Sequence, residues 1–117
     1  MSERGELDYF FEAPKIAKES LICPPKLRKD IPLSYADVTE HLKNVILKLE
    51  DIRDEDFHVE IIKSALWDYA TEKGRGVVLW AMRFALSGQE KSPDPFFISD
   101  IIGKGETIAR LTHATEL

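Results

Sequence analysis

Arg83 is the only charged residue in an apolar segment that extends from residue 80 to residue 87 and stops at Gly88. Burying a guanidinium without a partner is costly, so on spacing alone such a side chain most often reaches the surface or pairs with a carboxylate. A ligand is the third possibility, because the planar five-donor group fits a base edge, a phosphate or a carboxylate. A short polar loop with two prolines, residues 92–96, follows in the sequence.

The other side chains that could do chemistry form no catalytic or metal-binding pattern. The acidic run 54–56 lacks the glycine and the closing glutamate of a calcium loop, which favours a helix-capping loop. The glycine-containing stretches 74–76 and 103–105 are too short to cradle a phosphate and predict helix boundaries instead. The histidines are far apart in sequence and lack partners at metal-ligand spacing: His41, His58 and His113.

The first half of the chain carries the three-and-four spacing of apolar residues that predicts α-helices. One helix follows Ser34, which has Asp37 three residues on in a capping-box-like start. Its apolar positions are Val38, Leu42, Val45, Ile46, Leu49 and Ile52. A second helix, through residues 62–70, is expected to stop at Gly74.

Three shorter helices are predicted in the second half. Residues 77–86 are read as a helix rather than a strand because of their alanine, methionine, arginine and leucine content. A short helix at residues 95–102 stops at Gly103, and a last one covers about residues 105–114. Two short helical pieces are expected around Pro14, and the longest connection between residues 24 and 32. No segment alternates convincingly as a strand, so the predicted fold is all-α, a compact multi-helix bundle of short helices.

Composition sets the broad class. A chain of 117 residues with 44% apolar content fits one domain, residues 1–117, with an ordinary core. No apolar run approaches the roughly 20 residues that cross a bilayer, and residues 1–12 are too charged for a signal peptide. A cytoplasmic protein with no membrane partner is therefore expected. Cys23 is the single cysteine, which excludes an internal disulfide, and it is expected to be a small buried side chain.

The net charge of −5 argues against a general nucleic-acid binder and against a DNA partner. The charge is uneven, however. Residues 1–72 hold 10 lysines and arginines against 16 acidic residues, whereas residues 73–117 hold 6 against 5. Only the second part can tolerate close phosphates, which suits a module that contacts a few nucleotides through base edges.

A longer motif surrounds Arg83. Without a gap from Trp80 to Phe96, the order and spacing follow the pattern P-L-R-x-A-L-(T/S)-G and then (S/T)-P, before an apolar helix that ends in G-K-x-E-(T/A)-L-x-R-(L/I). The matching residues are Ala81, Met82, Arg83, Ala85, Leu86, Ser87, Gly88, Ser92, Pro93, Phe96, Ile101, Ile102, Gly103, Lys104, Glu106, Thr107, Ile108, Arg110 and Leu111. This pattern resembles the C-terminal end of bacterial glutamyl-tRNA synthetases.

The resemblance covers nearly the whole chain, specifically over residues 74–111 and more diffusely before. Upstream, residues 9–11 with Pro14 and residues 21–22 resemble the F-F-x-x-P and L-L elements that open the last domain of that family. Two departures stand out. Ala81 replaces the family's proline, and Ala81→Pro is expected to be tolerated because the position is predicted to lie in the first turn or two of its helix. Gly105 stands where an acidic helix former is usual.

The resemblance implies an anticodon-binding domain of the class I synthetase type, into which the unstacked bases of the tRNA(Glu) anticodon loop are splayed. Carried over by position, Arg83 is an exposed base-edge donor, Ser92 and Pro93 lie beside a base, and Pro95 occupies an apolar base contact. Trp80 lies one turn before Arg83 and is a candidate stacking face, although a core tryptophan is the commoner arrangement. The other large aromatic side chains are assigned to the core: Trp67, Phe84, Phe96 and Phe97.

The family's catalytic nucleotide-binding domain carries H-I-G-H and K-M-S-K-S type motifs, and neither occurs in this chain. The resemblance thus implies a monomeric, non-catalytic part of a glutamate–tRNA ligase with no cofactor of its own, since ATP and magnesium belong to the catalytic domain. The implied partners are tRNA(Glu) and the catalytic part of the synthetase. Two alternatives stay open: an acidic helical adaptor that docks onto a basic protein, and a small enzyme that uses Cys23 or an acidic pair.

Overall fold

The computed structural model describes residues 16–25, 32–89 and 92–117. Five α-helices and two short 3-10 turns lie in these ranges, and no strand does. The helices are α1 (Tyr35–Glu50), α2 (Val59–Lys73), α3 (Arg75–Ser87), α4 (Pro95–Ile102) and α5 (Lys104–Ala114), and the turns are Lys18–Leu21 and Asp54–Asp56. The all-α prediction is confirmed. The helical pieces expected around Pro14 and most of the connection between residues 24 and 32 lie outside the described residues.

Polar contacts fix both ends of α1. At its start the Ser34 Oγ accepts a hydrogen bond from the Asp37 N–H at 3.2 Å, and the Asp37 carboxylate accepts one from the Ser34 N–H at 3.0 Å, which lowers the pKa of Asp37. The capping box predicted from the sequence is therefore present. At the other end, the Lys104 ammonium of α5 donates to the carbonyls of Glu50 and Ile52 at 3.1 and 2.5 Å, which satisfies carbonyls that the end of a helix leaves free.

The third helix is the centre of the bundle. It contacts each of the other four helices and also the Lys18–Leu21 turn. Its buried apolar residues recur as adjacent pairs every four positions, so they share one face. These residues are Val77, Val78, Ala81, Met82, Ala85 and Leu86. Gly88, with φ of 71°, ends the helix in the left-handed conformation that glycine adopts without strain.

Ala81 lies deeper in α3 than the sequence suggested. The helix begins at Arg75, so Ala81 is its seventh residue and is fully buried. The free N–H groups of a helix are its first four, and Ala81 lies beyond them. A proline there loses the N–H that helix geometry directs to the carbonyl of Val77, and its ring clashes with that carbonyl. The structure therefore leads to the opposite prediction, that proline is not tolerated at this position.

We expect Ala81→Pro to lower the free energy of unfolding by about 3 kcal/mol or more, because it breaks a hydrogen bond inside the central helix. The control is Ala81→Gly, which keeps the N–H and should cost only about 1 kcal/mol. Urea unfolding followed by circular dichroism measures both. A proline variant as stable as the wild-type chain would contradict this description of α3.

Gly105, the second departure from the family pattern, is the second residue of α5 and is exposed. A Cβ built at this position meets no atom within 4 Å. Packing therefore does not require glycine here, and a helix start is a place where a weak helix former is tolerated.

The aromatic assignments to the core were correct in three of four cases. Phe96 is buried at 5% exposure, and Trp67 and Phe84 are partly buried and pack against the core. Phe97 was assigned to the core wrongly, since 44% of it is exposed. The inner face of α4 is formed by Pro95, Phe96, Ile98 and Ser99, and at about 100° per residue Phe97 lies on the opposite face. Across the described ranges, no helix is long and apolar enough to cross a membrane.

Candidate functional site

Arg83 lies on the face of α3 opposite to its buried stripe, between the buried Met82 and the half-buried Phe84. Its own side chain is half-buried, rather than fully exposed as the sequence suggested. The Nε atom is the only buried side-chain nitrogen or oxygen without a hydrogen-bond partner in the described part of the chain. No carboxylate of the described residues forms an ion pair with the guanidinium. Arg83 therefore has free donors in a partly dehydrated place, where a ligand acceptor is worth most.

Trp80 lies one turn before Arg83 and forms an aromatic pair with Phe84. The ring centroids are 5.2 Å apart and the planes are tilted by 36°. The indole N–H of Trp80 donates to the carbonyl of Ser20 at 2.9 Å, which ties the ring to the Lys18–Leu21 turn. Its polar atom is thus used inside the protein, but the side chain stays half-buried and leaves part of the ring accessible.

The end of α3 is held by its own last residues. The Ser87 hydroxyl donates to the carbonyl of Arg83 at 2.8 Å and accepts from the N–H of Gln89 at 3.1 Å. The N–H of Gly88 donates to the carbonyl of Phe84 at 2.8 Å. These bonds fix the backbone of the turn that carries Arg83.

The proline-containing loop begins close to this turn. Ser92 is three residues beyond Gln89, and three residues of extended chain span at most about 11 Å; residues 90 and 91 lie outside the described part. The Ser92 hydroxyl, half-buried, donates to the carbonyl of Pro93 at 3.1 Å, and the Pro93 ring is exposed. Of Ser92 and Pro93, Pro93 is therefore the residue whose surface is more open to a ligand.

Asp94 and Pro95 start α4 rather than form the binding surface. The Asp94 carboxylate accepts from the N–H of Phe97 at 2.8 Å, and Pro95 takes the first helical position, where its missing N–H costs nothing. Pro95 is buried, and its carbonyl accepts from the Ser99 hydroxyl at 2.7 Å. The burial of its ring argues against the base contact that the resemblance implied, and its role is to set the direction of the loop.

Arg110, for which the sequence had suggested no role, is buried and connects α5 to the end of α3 by a hydrogen bond. It is 3% exposed; its Nη1 donates to the carbonyl of Leu86 at 2.7 Å and its Nε to the Glu106 carboxylate at 2.8 Å. Glu106 and Arg110 are four residues apart on α5, and each precedes a buried residue, Thr107 and Leu111 respectively. That spacing is a sequence signal for an ion pair, but only the structure shows that the pair reaches α3.

We expect Arg110→Met to lower the free energy of unfolding by about 1–3 kcal/mol, because the substitution fills most of the same volume but leaves the Leu86 carbonyl buried without a donor. The matched change, Glu106→Gln, keeps an acceptor for Arg110 and affects a partly exposed ion pair, so it should cost less than about 1 kcal/mol. Chemical denaturation of the two variants measures both losses in the free energy of unfolding. Equal losses would mean that the ion pair, and not the carbonyl contact, stabilises this junction.

Two of the histidines, His41 and His58, contact polar groups of neighbouring helices. The ring of His41 lies with its Nδ1 3.0 Å from the Tyr69 hydroxyl, and burial lowers the pKa of His41. His58 lies 3.7 Å from the Asp100 carboxylate, which also accepts the N–H of Val59 at 3.1 Å at the start of α2. Among the described residues, no group of three histidine, cysteine, aspartate or glutamate side chains could hold a metal ion.

The fold and this geometry define an all-α binding domain that presents an unpaired arginine at the end of its central helix. A sequence profile of the anticodon-binding domain matches residues 5–115. The chain belongs to the anticodon-binding domain family.

Relatives and a solved structure agree with this assignment. The glutamate–tRNA ligase of Clostridium acetobutylicum is 35% identical over 113 residues, which cover 94% of this chain and 22% of that protein. The glutamate–tRNA ligase of Bacteroides fragilis is 31% identical and covers 93% of this chain and 20% of its own length. A crystal structure of a glutamate tRNA ligase from Elizabethkingia meningosepticum in complex with its amino acid matches with a TM-score of 0.69 at 29% identity, over 93% of this chain and 20% of that one.

These matches confirm the resemblance that the motif around Arg83 indicated. The chain is an anticodon-binding domain homologous to part of the glutamate–tRNA ligases, and it spans about a fifth of the length of the relatives that it matches.

Proposed function

We propose that this domain reads the anticodon loop of tRNA(Glu) as the non-catalytic part of a glutamate–tRNA ligase. The observation that carries the proposal is the Arg83 guanidinium, whose Nε is buried without a partner on a helix that contacts all four other helices. A donor in this state gains most from an acceptor that only a bound ligand supplies. Bases of an unpaired loop offer such acceptors, because their Watson–Crick and Hoogsteen edges are free.

The neighbours of Arg83 suit a splayed base. Trp80 and Phe84 provide aromatic surface on the same helix, on which a base can stack. Pro93 provides an exposed apolar ring, and Ser92 lies beside it with a hydroxyl that can exchange its bond to the Pro93 carbonyl for one to a base. In this proposal Arg83 selects the base by hydrogen bonding, and the other side chains hold the base in place.

Catalysis belongs to the rest of the ligase in this proposal. The chain lacks the nucleotide-binding motifs of the family, so ATP and magnesium bind elsewhere, and the domain acts as a monomer in the cytoplasm. We expect no glutamate-dependent pyrophosphate exchange above background with ATP from the isolated chain, measured with and without added tRNA. Exchange above background would show that it carries catalytic machinery of its own.

A protein-binding role is the competing proposal, and one observation favours it. Phe97 and Ile101 lie one turn apart on α4 and are 44% and 51% exposed. An adaptor that docks through these side chains should lose its partner in Phe97→Ser, whereas binding of an anticodon stem-loop through Arg83 should not change. Titration of the wild-type chain and this variant with the same stem-loop separates the two roles.

Substitutions of Arg83 test the proposal directly. We expect Arg83→Ala to weaken binding of a matched tRNA(Glu) anticodon stem-loop by about 1–3 kcal/mol, the usual contribution of a bidentate base contact. The stability of the fold should change by less than about 0.5 kcal/mol, because the guanidinium has no internal partner to lose. Fluorescence titration and thermal melting on the same samples give both quantities.

Arg83→Lys is the matched control because it keeps the charge but removes the planar fork. A base reader should lose its preference for the matched loop in this variant, whereas an arginine that contacts phosphate alone should keep most of its affinity, with equal losses for all loops. A destabilised Arg83→Ala domain that still prefers the matched loop would contradict the role given to this residue.

A further inference from the structure

Two cations lie on one indole ring away from the Arg83 site. The Lys63 ammonium is 5.0 Å from the centroid of the Trp67 ring, and the Arg75 guanidinium carbon is 5.2 Å from it. Lys63 and Trp67 are one turn apart on α2, and Arg75 is the first residue of α3. Both cations are exposed, and Trp67 is half-buried against the core. We call these three residues the Trp67 surface.

The charges of this surface are held by an aromatic ring and not by carboxylates. Neither Lys63 nor Arg75 forms an ion pair with a described residue. Asp68 lines the open depression of about 510 Å³ beside Lys63 and Trp67, but it is not within ion-pair distance of either cation. A guanidinium that stacks on an indole keeps the N–H groups at its edge free, and these fit the oxygens of a phosphate.

The Trp67 surface lies close to Arg83 along α3. Arg75 and Arg83 are eight residues apart, so they are separated by about 12 Å along the helix and by about 80° around it. Arg75 lies in the first turn, in line with Met82, but it is exposed because the core does not extend to that end of the helix. An RNA strand advances by at least about 3.4 Å per nucleotide, so a strand that places a base at Arg83 can bring its backbone to Arg75 within about four nucleotides.

From this placement we infer that the Trp67 surface binds the sugar–phosphate backbone of the same RNA whose bases meet Arg83. The inference rests on the proposed function and adds a second, sequence-independent contact to it. Lys63 and Arg75 contact phosphate oxygens, and the accessible part of the Trp67 ring contacts the sugar. Exposed acidic neighbours, Glu60, Asp68 and Glu72, limit the attraction to the one or two phosphates that the cations touch directly.

The test compares Lys63→Gln and Arg75→Gln with Lys43→Gln, in the full 117-residue chain. Lys43 is an exposed lysine of α1 with no aromatic partner among the described residues, so replacing it changes the net charge equally. Affinity for matched and mismatched anticodon stem-loops is measured at several salt concentrations. We expect several-fold weaker binding in each Trp67-surface variant, equal for both loops, and a salt dependence shallower by about 0.7 to 0.9 for each phosphate that the variant no longer neutralises. Lys43→Gln should behave like the wild type.

The possible outcomes separate this inference from the proposed function. If the wild-type chain prefers the matched loop and Lys63→Gln and Arg75→Gln both behave like Lys43→Gln, the Trp67 surface does not bind RNA, and the role of Arg83 stands. If either variant loses the preference for the matched loop, the surface reads sequence and the backbone contact is wrong. If the wild-type chain binds no stem-loop at all, the proposed function is wrong and this inference is wrong with it. A Trp67→Phe variant that melts like the wild type but binds RNA as weakly as Arg75→Gln supports the surface as one unit.

Discussion

The structure depends on the burial of one face of α3 by every other helix. Paired apolar positions, among them the small residues Ala81 and Ala85, let the surrounding helices approach closely on that side. A helix packed in this way cannot shift without disturbing the entire core. The other face is consequently rigid, and Arg83 projects from it at a position that the core determines.

Polar contacts between helices complete this arrangement, and most of them come from α4 and α5. No side-chain cap is present at the N-terminus of α2, α3 or α5. Side chains of other helices bond to several helix ends. Asp100 accepts the first N–H of α2, Lys104 donates to a carbonyl at the C-terminal end of α1, and Arg110 donates to a carbonyl at the C-terminal end of α3. The G-K-x-E-(T/A)-L-x-R part of the motif is therefore a set of junctions between helices. The family pattern joins residues of two kinds, those that hold the helices together and those, such as Arg83 and Pro93, that remain open to a ligand.

The sequence predicted the elements well because their signals are local. The apolar spacing after Ser34 and the glycines at positions 74, 88 and 103 lie within the helices that they begin or end, and all of these boundaries are present in the structure. The features that the sequence did not reveal depend on partners distant in sequence. The burial of Pro95, the exposure of Phe97 and the reach of Arg110 to Leu86 follow from how α3, α4 and α5 pack, and periodicity within one helix cannot reveal them. The outward direction of Arg83 was nevertheless available from the sequence, since residues 81, 82, 85 and 86 mark the inner face of α3.

A net charge of −5 is compatible with the proposed role in RNA recognition, because in that role recognition depends on positioned donors more than on overall attraction. In the free domain, the Nε of Arg83 is buried without a hydrogen-bond partner, which is unfavourable. A loop with an acceptor at the right place removes that penalty when it binds, whereas a loop without one leaves the donor buried and unpaired. An acidic surface weakens nonspecific binding of every RNA equally, since it repels phosphates without regard to sequence. Weak general attraction therefore lowers the affinity for every RNA, and it is the unsatisfied donor that increases the ratio of matched to mismatched binding.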